Sequence, residues 1–118
     1  MRQHSMRFTS IEREIAQALI HASPAKDLLL AQLDRANVAS REDTGAGMFS
    51  VLVVPDDCDP APGVERLDSF DGVLSHAELA RGVGAILWLS AGRLSNLELY
   101  SFEEPWPKDW ERIEFASE

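Results

Sequence analysis

Near the start of the chain, apolar side chains recur every three to four residues, a spacing that predicts an amphipathic helix. Thr9 and Glu12 stand at its start with the spacing of a capping box. Ser23-Pro24 suits the N-cap and first position of a second helix, which runs to about Arg35. Two helices joined so tightly form an antiparallel or angled pair that needs a sheet to cover. The apolar stripes are Ile11, Ile15, Ala18, Leu19 and Ala22 in the first helix, and Leu28, Leu29 and Leu33 in the second.

After residue 36 the pattern changes to short runs rich in β-branched and apolar residues, which predict strands. Polar segments with Gly or Pro at 42–47 and 56–63 predict a turn and a surface loop. A short helical turn is predicted at 75–81, because Ser75 and Glu78 have capping-box spacing. The predicted strands in this part of the chain are 37–41, 48–54 and the edge strand 64–70.

The clearest local signal is a β-hairpin. The run 85–89 (AILWL) and the return 94–102 (LSNLELYSF) flank a turn in which Gly92 supplies the positive φ of a tight hairpin. Because side chains alternate along a strand, the return strand carries apolar groups on both faces and is predicted to be central. One face holds Leu97 and Leu99, and the other holds Glu98, Tyr100 and Phe102.

These elements predict an α+β fold, with two N-terminal helices packed on a mainly antiparallel sheet of about four strands. The chain of 118 residues fits a single domain, 1–118, and its 45% hydrophobic residues are typical of a globular protein. No apolar run approaches the roughly 20 residues that cross a bilayer, and the N-terminus lacks the apolar stretch of a secretion signal. The single cysteine excludes an internal disulfide, so we expect a cytoplasmic protein.

The charge is strongly negative and unevenly distributed. The chain has 11 basic and 20 acidic residues, a net charge of −9. Residues 1–36 hold five basic and four acidic residues, so residues 37–118 carry −10. A field of this sign repels nucleic acid and anionic lipid and attracts a basic protein. Acidity also serves solubility, and that simpler explanation stays open.

The residues that ligate metals do not form a recognisable motif. A zinc site needs three or four Cys or His ligands, usually with one close pair, whereas Cys58, His4, His21 and His76 lie far apart in the sequence. The acidic run 56–59 lacks the Gly and Glu spacing of an EF-hand. His21 suits the C-terminal end of the first helix. We expect carboxylates around Cys58 to make its thiol unreactive, and we predict no metal and no cofactor.

Glu98 is the one residue with a recognisable catalytic possibility. A small enzyme or ligand-binding domain would use Glu98 with Tyr100 in a pocket beneath the helices. The structural alternative is an ion pair between Glu98 and Arg93 or another arginine. Without a nucleophile, phosphate loop or metal site beside it, the pattern predicts that the chain is not an enzyme.

The C-terminal part combines tryptophans with carboxylates. Protein interfaces often surround aromatic anchors with complementary charge, and Pro105 and Pro107 would hold this segment rigid. The alternative is that Trp106 and Trp110 both pack on the sheet. The predicted partner-binding residues are Asp56, Asp57, Asp59, Glu103, Glu104, Trp106, Asp109 and Trp110, with Glu111, Glu114 and Glu118 around the tryptophans.

The segment Gly92–Tyr100 (GRLSNLELY) resembles a hairpin that recurs in small uncharacterised bacterial proteins. Arg7-Phe8-Thr9 leading to Glu12, and the leucines of 28–33, are similar to the same group. Some of these proteins are encoded beside polymorphic or contact-dependent toxins, where small acidic proteins act as immunity factors. The resemblance implies no catalytic residue.

Charge and resemblance together predict an immunity-type protein that binds and neutralises a basic toxin enzyme through an acidic surface. The predicted partner is therefore a protein, with no nucleic acid and no membrane. Two alternatives remain: the small enzyme or ligand-binding domain, and a structural or regulatory subunit that forms homodimers through an edge strand.

Overall fold

Both predicted helices are present in the computed structural model of the chain, which describes residues 6–117. Helix α1 spans Ser10–His21 and helix α2 spans Lys26–Arg35. The capping box at the start of α1 is confirmed. The Thr9 hydroxyl accepts from the backbone N–H of Glu12 at 3.2 Å, and the Glu12 carboxylate accepts from the backbone N–H of Thr9 at 2.8 Å.

Helix α2 begins two residues later than predicted, so the N-cap assigned to Ser23 is wrong. The Ser23 hydroxyl accepts from the backbone N–H of Ala25 at 3.1 Å, and Ala25 is the residue that precedes the helix. Serine makes this bond to a backbone N–H two residues on in tight turns as well as at helix starts. The hydroxyl therefore stabilises the turn between the helices, and α2 has no side-chain cap.

The fold is α+β as predicted, with one strand more in the main sheet than expected. Five strands pair antiparallel in the order β1-β2-β6-β5-β3, and β4 and β7 form a second, two-stranded sheet. The return strand of the hairpin, β6, is central as predicted. The strands are β1 (Asn37–Asp43), β2 (Gly47–Val53), β3 (Arg66–Leu67), β4 (Val73–Ser75), β5 (Gly84–Ser90), β6 (Arg93–Tyr100) and β7 (Glu114–Ala116).

The β5–β6 turn has the residues that its backbone requires. Ala91 and Gly92 both have positive φ, 51° and 78°, as a two-residue turn of this hand needs. A side chain at Gly92 would also lie 2.9 Å from the backbone nitrogen of Ala61, in the loop that crosses this turn. Glycine is therefore needed here for both its φ and its size.

No helical turn forms at 75–81, and that prediction is wrong. Ser75 is the last residue of β4, where it pairs with Glu114 of β7. The backbone N–H of Glu78 donates to Nδ1 of His76 at 3.0 Å instead of to a serine cap. Strand β7, which pairs with Ser75, lies far along the chain, so the local spacing of residues could not indicate this pairing.

The core lies between the helices and one face of the five-stranded sheet. It contains the fully buried side chains of Ile15, Leu19, Leu33, Leu87 and Leu97. The molecule measures 41 × 40 × 20 Å, and the short dimension fits one layer of helices on one sheet. Neither helix of residues 6–117 is long and apolar enough to span a bilayer.

A buried glutamine on α2 fixes the loop at one end of the sheet. The Gln32 amide donates to the carbonyl of Asp59 at 2.9 Å and to that of Gly92 at 3.0 Å. Its oxygen accepts from the backbone N–H of Leu94 at 2.9 Å. This amide therefore joins α2, the acidic loop and the β5–β6 turn.

A buried carboxylate joins α1 to the sheet. Glu12 is fully buried, and its oxygens accept from Arg41 Nη2 at 2.6 Å, from Arg41 Nε at 3.0 Å and from the Ser50 hydroxyl at 3.0 Å. Burial raises the pKa of Glu12, but the hydrogen bonds from Arg41, Thr9 and Ser50 and the Arg41 charge outweigh it. The pKa therefore lies below its ordinary value of 4.5.

We expect Glu12→Gln to lower the free energy of unfolding by about 3 kcal/mol, because it leaves the Arg41 guanidinium without its ionic partner. Urea unfolding at neutral pH measures the loss. Glu14→Gln is the matched control on the same helix, since Glu14 is exposed and should change stability little. Equal stability of the two variants would show that Glu12 contributes no more than a surface residue.

The contribution of Glu12 should also depend on pH. A carboxyl whose pKa is lowered by folding stabilises the protein above its unfolded-state pKa, near 4.5, and loses this effect as pH falls through the folded-state pKa. The difference in unfolding free energy between the natural chain and Glu12→Gln should therefore be constant near neutrality and shrink below about pH 4.5. A difference that does not change with pH contradicts this assignment.

Candidate functional site

The acidic loop 56–63 lies at the end of the sheet where β5 turns into β6. The backbone N–H of Ala61 donates to the carbonyl of Gly92 at 2.8 Å, which holds the loop against the turn. Asp57 pairs with Arg35 at 3.1 Å, while Asp56 and Asp59 are exposed. These three predicted partner-binding residues thus share one location.

The next predicted pair, Glu103 and Glu104, lies at the opposite end of the sheet. Glu103 pairs with Arg81 at 3.1 Å, and Glu104 accepts from the backbone N–H groups of Ala80 and Arg81 at 3.1 and 3.2 Å. Strand β6 separates them from the acidic loop by about 25 Å, at about 3.3 Å per residue. The predicted acidic residues therefore do not form one patch.

Both predicted aromatic anchors belong to the core. Trp106 is 7% exposed and Trp110 is 8% exposed. The backbone N–H of Trp106 donates to the carbonyl of Gly45, and the Trp110 ring lies 6.0 Å from the guanidinium of Arg41. Pairing of β7 with β4 folds the C-terminal segment back onto the molecule. Both tryptophans therefore pack inside, as the alternative predicted, and neither is an exposed anchor.

Carboxylates gather elsewhere, along three adjoining grooves beside α1 and the C-terminal segment. The first groove and the second share Glu14 and Phe115, and the second and the third share Ile113 and Glu114. The grooves are therefore continuous. We call their acidic residues the acidic band: Glu14, Asp71, Glu78, Asp109, Glu111 and Glu114.

Few cations balance the acidic band. Asp109 lies 3.9 Å from Arg112, an exposed arginine, and is the one member with a salt bridge to Arg or Lys within residues 6–117. The pKa of Arg41 is raised, chiefly by its hydrogen bond to Glu12 and to a lesser degree by the charge of Glu111. Half-buried Phe115 lies where the first two grooves meet. The surface thus combines excess negative charge with one aromatic ring.

Two residues of the acidic band and the neighbouring His76 form a group of possible metal ligands. One ligand atom each from His76, Glu78 and Asp109 can be chosen within 4.8 Å of one another. His76 Nε2, however, lies 3.0 Å from the Asp109 carboxylate, and Nδ1 accepts the backbone N–H of Glu78. A histidine that ligates through Nε2 normally keeps a proton on Nδ1 and donates it. Here Nδ1 accepts, so Nε2 carries the proton and the ring connects two segments of the protein.

The residues considered for catalysis lie on the side of the sheet that faces away from the helices. Ser50 contacts Glu12 of α1, so Ser50 and its strand partner Leu97 face the helices, and Glu98 faces away. Glu98 accepts from the indole N–H of Trp88 at 3.0 Å. The predicted pocket beneath the helices is therefore wrong for Glu98 and Tyr100. We call this side of the sheet the open face.

The predicted ion pair of Glu98 with Arg93 is not formed. Arg93 Nη2 donates to the carbonyls of Asp56 and Cys58, both at 3.0 Å. Cys58 is buried, and Arg35 Nη1, which also pairs with Asp57 at 3.1 Å, donates to its sulfur at 3.6 Å. The guanidinium groups thus hold the acidic loop in place.

His21 lies in the last turn of α1, as predicted, and lines the first groove of the acidic band. His4 and Glu118 lie outside the described residues. The sequence pattern missed Glu14, Asp71 and Glu78 as members of the acidic band. Glu14 was visible as a polar position opposite the apolar stripe of α1, whereas Asp71 and Glu78 join it only through the β4–β7 pairing.

Since the His76 ring connects two segments, His76→Ala should lower the free energy of unfolding by about 2 kcal/mol without any metal present. Zinc should not raise the unfolding temperature of the natural chain, and a chelator should not lower it. Thermal unfolding with zinc chloride or with EDTA measures both. Stabilisation by zinc that disappears in His76→Ala would instead establish a metal site.

Comparisons of the chain with protein-family models, with curated proteins and with solved structures found no match. The resemblance of Gly92–Tyr100 to a hairpin of small uncharacterised bacterial proteins therefore stays a prediction.

Proposed function

We propose that this protein is an immunity-type protein that binds and neutralises a basic toxin enzyme. The observation that supports the proposal is the acidic band, in which six carboxylates line three adjoining grooves, two of them lined by Phe115, and one exposed arginine accompanies them. A concave surface of this sign attracts a cationic protein and repels polyanions. We infer a cytoplasmic site of action, where the chain would meet an incoming toxin.

The mechanism is steering followed by docking. Long-range attraction brings the basic toxin to the acidic band, which raises the association rate. Burial of Phe115 and its surroundings then provides short-range contact, since aromatic side chains at the centre of an interface supply much of the binding energy. A toxin that cleaves nucleic acid has a basic cleft, and the acidic band would occupy that cleft in place of the substrate.

The alternative of an enzyme based on Glu98 and Tyr100 has less support. Both side chains lie on the open face, where Glu98 is engaged by Trp88 and the Tyr100 ring covers Gly84. The three grooves of the acidic band are lined by neither Glu98 nor Tyr100. A hydrolytic or transfer reaction would need a concave site around them.

The test is co-expression with the proteins encoded beside this gene, with growth rescue as the first measurement. For a toxin that is neutralised, we expect the double variant of this chain, Glu14→Lys, Glu114→Lys, to bind it about tenfold or more weakly. The two lysines place positive charge against the basic toxin. Binding of the natural chain should also weaken as salt rises. Titration calorimetry at two salt concentrations measures both effects.

Asp56→Lys, Asp59→Lys is the matched control, since it makes the same change in net charge at the other end of the molecule. It should reduce the association rate slightly and leave the complex stable. If it weakens binding as much as the acidic-band variant, the acidic loop or net charge alone governs binding. If no neighbouring gene product is neutralised, the proposed function is wrong.

A further inference from the structure

One aspartate of the acidic band is followed by glycine. Asp71 precedes Gly72, and no other aspartate or asparagine of the chain precedes a glycine. The side-chain carboxyl of an aspartate reacts with the backbone nitrogen of the next residue when the two atoms meet. A following glycine, which has no Cβ, hinders this approach least. Exposure and hydrogen bonding of the pair then decide whether the folded chain reacts.

Both reacting groups of this pair are free in the fold. Asp71 is exposed, in the bend that precedes β4, and its side chain lines the first groove of the acidic band. Within residues 6–117 its carboxylate has no ion pair. The backbone N–H of Gly72 has no hydrogen-bond partner in the same part of the chain, because the pairing of β4 with β7 starts one residue later, at Val73. Neither group has to give up a bond to the described protein in order to react.

Other aspartates in loops are protected. Asp59 precedes Pro60, which has no backbone N–H to react. Asp57 is paired with Arg35 at 3.1 Å, and the N–H that follows it donates to the carbonyl of Pro55 at 3.1 Å. The acidic loop therefore contrasts with the bend at Asp71, although both are on the surface.

Two further aspartates have their carboxylates engaged. Asp43 accepts from the backbone N–H of Gly45 at 2.8 Å. Asp109 lies 3.0 Å from Nε2 of His76. Ring closure at either position would first have to break this contact.

Packing explains why glycine follows Asp71. A Cβ at Gly72 would lie 2.6 Å from the ring of Phe115. That ring packs beside Phe70, with ring centroids 5.8 Å apart, so it has little room to move away. The fold thus requires at position 72 the residue that leaves the preceding aspartate most reactive.

We propose that Asp71 is a site of spontaneous isomerisation to isoaspartate in the folded protein. The backbone nitrogen of Gly72 attacks Cγ of the protonated Asp71 carboxyl. The N–Cγ bond forms, the bond from Cγ to the hydroxyl breaks, and the hydroxyl leaves with the N–H proton as water. The product is a five-membered succinimide ring.

Water then opens the ring at one of its two carbonyl carbons. Addition at Cγ breaks the new bond and restores aspartate. Addition at the backbone carbonyl carbon of Asp71 breaks the original peptide bond and leaves isoaspartate. One water is lost and one is gained, so the reaction needs no oxidant, reductant or other reactant.

Isoaspartate keeps the negative charge but changes the backbone. The chain then runs through Cβ and Cγ of residue 71 and is longer by one carbon–carbon bond, about 1.5 Å. This extra atom lies directly before the β4–β7 pairing and opposite Glu14 in the first groove. The modification would therefore loosen the two-stranded sheet and reshape the first groove. This inference goes beyond the proposed function and does not depend on it.

The experiment ages the purified full-length chain at physiological temperature and locates isoaspartate by electron-transfer fragmentation in a mass spectrometer. Trypsin releases residues 67–81 as one peptide, which contains both Asp68 and Asp71. Asp68 is the internal comparison, since it is also exposed but is followed by Ser69. We expect about threefold or more isoaspartate at Asp71 than at Asp68, because the serine side chain hinders ring closure.

Two variants test the chemistry. Asp71→Glu is the matched control, because it keeps the charge but would have to close a less favourable six-membered ring, and it should accumulate no isomer. Asp71→Asn should form isoaspartate faster than the natural chain, since its amide leaves as ammonia. Circular dichroism of each variant confirms that it is folded.

Three results would overturn the inference. They are the absence of isoaspartate at Asp71, equal amounts at Asp68 and Asp71, and a reaction that occurs only when the chain is unfolded in urea. The structural effect has its own measurement, since hydrogen exchange in β4 and β7 should be faster in the aged natural chain than in aged Asp71→Glu. Equal exchange would contradict the predicted loosening of this sheet.

Discussion

The relative placement of the two layers depends on one buried carboxylate. Removing Glu12 from water is costly, and this cost is met because Arg41, Ser50 and Thr9 all donate to it. These donors come from β1, from β2 and from the residue before α1. Arg41 also lies over the ring of Trp110. The contacts of Glu12 and Arg41 therefore fix the positions of α1 and the C-terminal segment, which line the acidic band.

An uncharged counterpart holds the other end of the molecule. Gln32 has no charge to compensate, and its amide is satisfied by two carbonyls and one backbone N–H. The loop it holds is further tied by Arg35 to Asp57 and by Arg93 to backbone carbonyls. Of the acidic side chains in this loop, Asp57 is paired with Arg35, whereas Asp56 and Asp59 are exposed.

Local chemistry in the sequence predicted local structure well. The capping box at Thr9 and the glycine turn at Gly92 are confirmed because their signals lie within four residues of the structure they form. The pairing of Ser75 with Glu114 had no such signal, since it joins distant segments. That pairing buries Trp110 and brings Asp71 beside Glu14. Because the sequence did not indicate it, Trp110 was predicted to be an exposed anchor and the acidic band was not predicted.

The sheet itself explains why the two surfaces differ. Strands β2 and β5 carry apolar side chains on both faces, so one side makes the core and the other leaves little room for charge on these strands. The central strand β6 places Asn96 and Glu98 between them. Surplus carboxylates must then lie on the outer side of α1, in the loops and in the C-terminal segment. Negative charge is thus concentrated around α1 and Phe115, whereas Trp88 and Val53 make part of the open face apolar. The period of two along β2 and β5 thus gives one small chain two chemically different surfaces, on opposite sides of the same sheet.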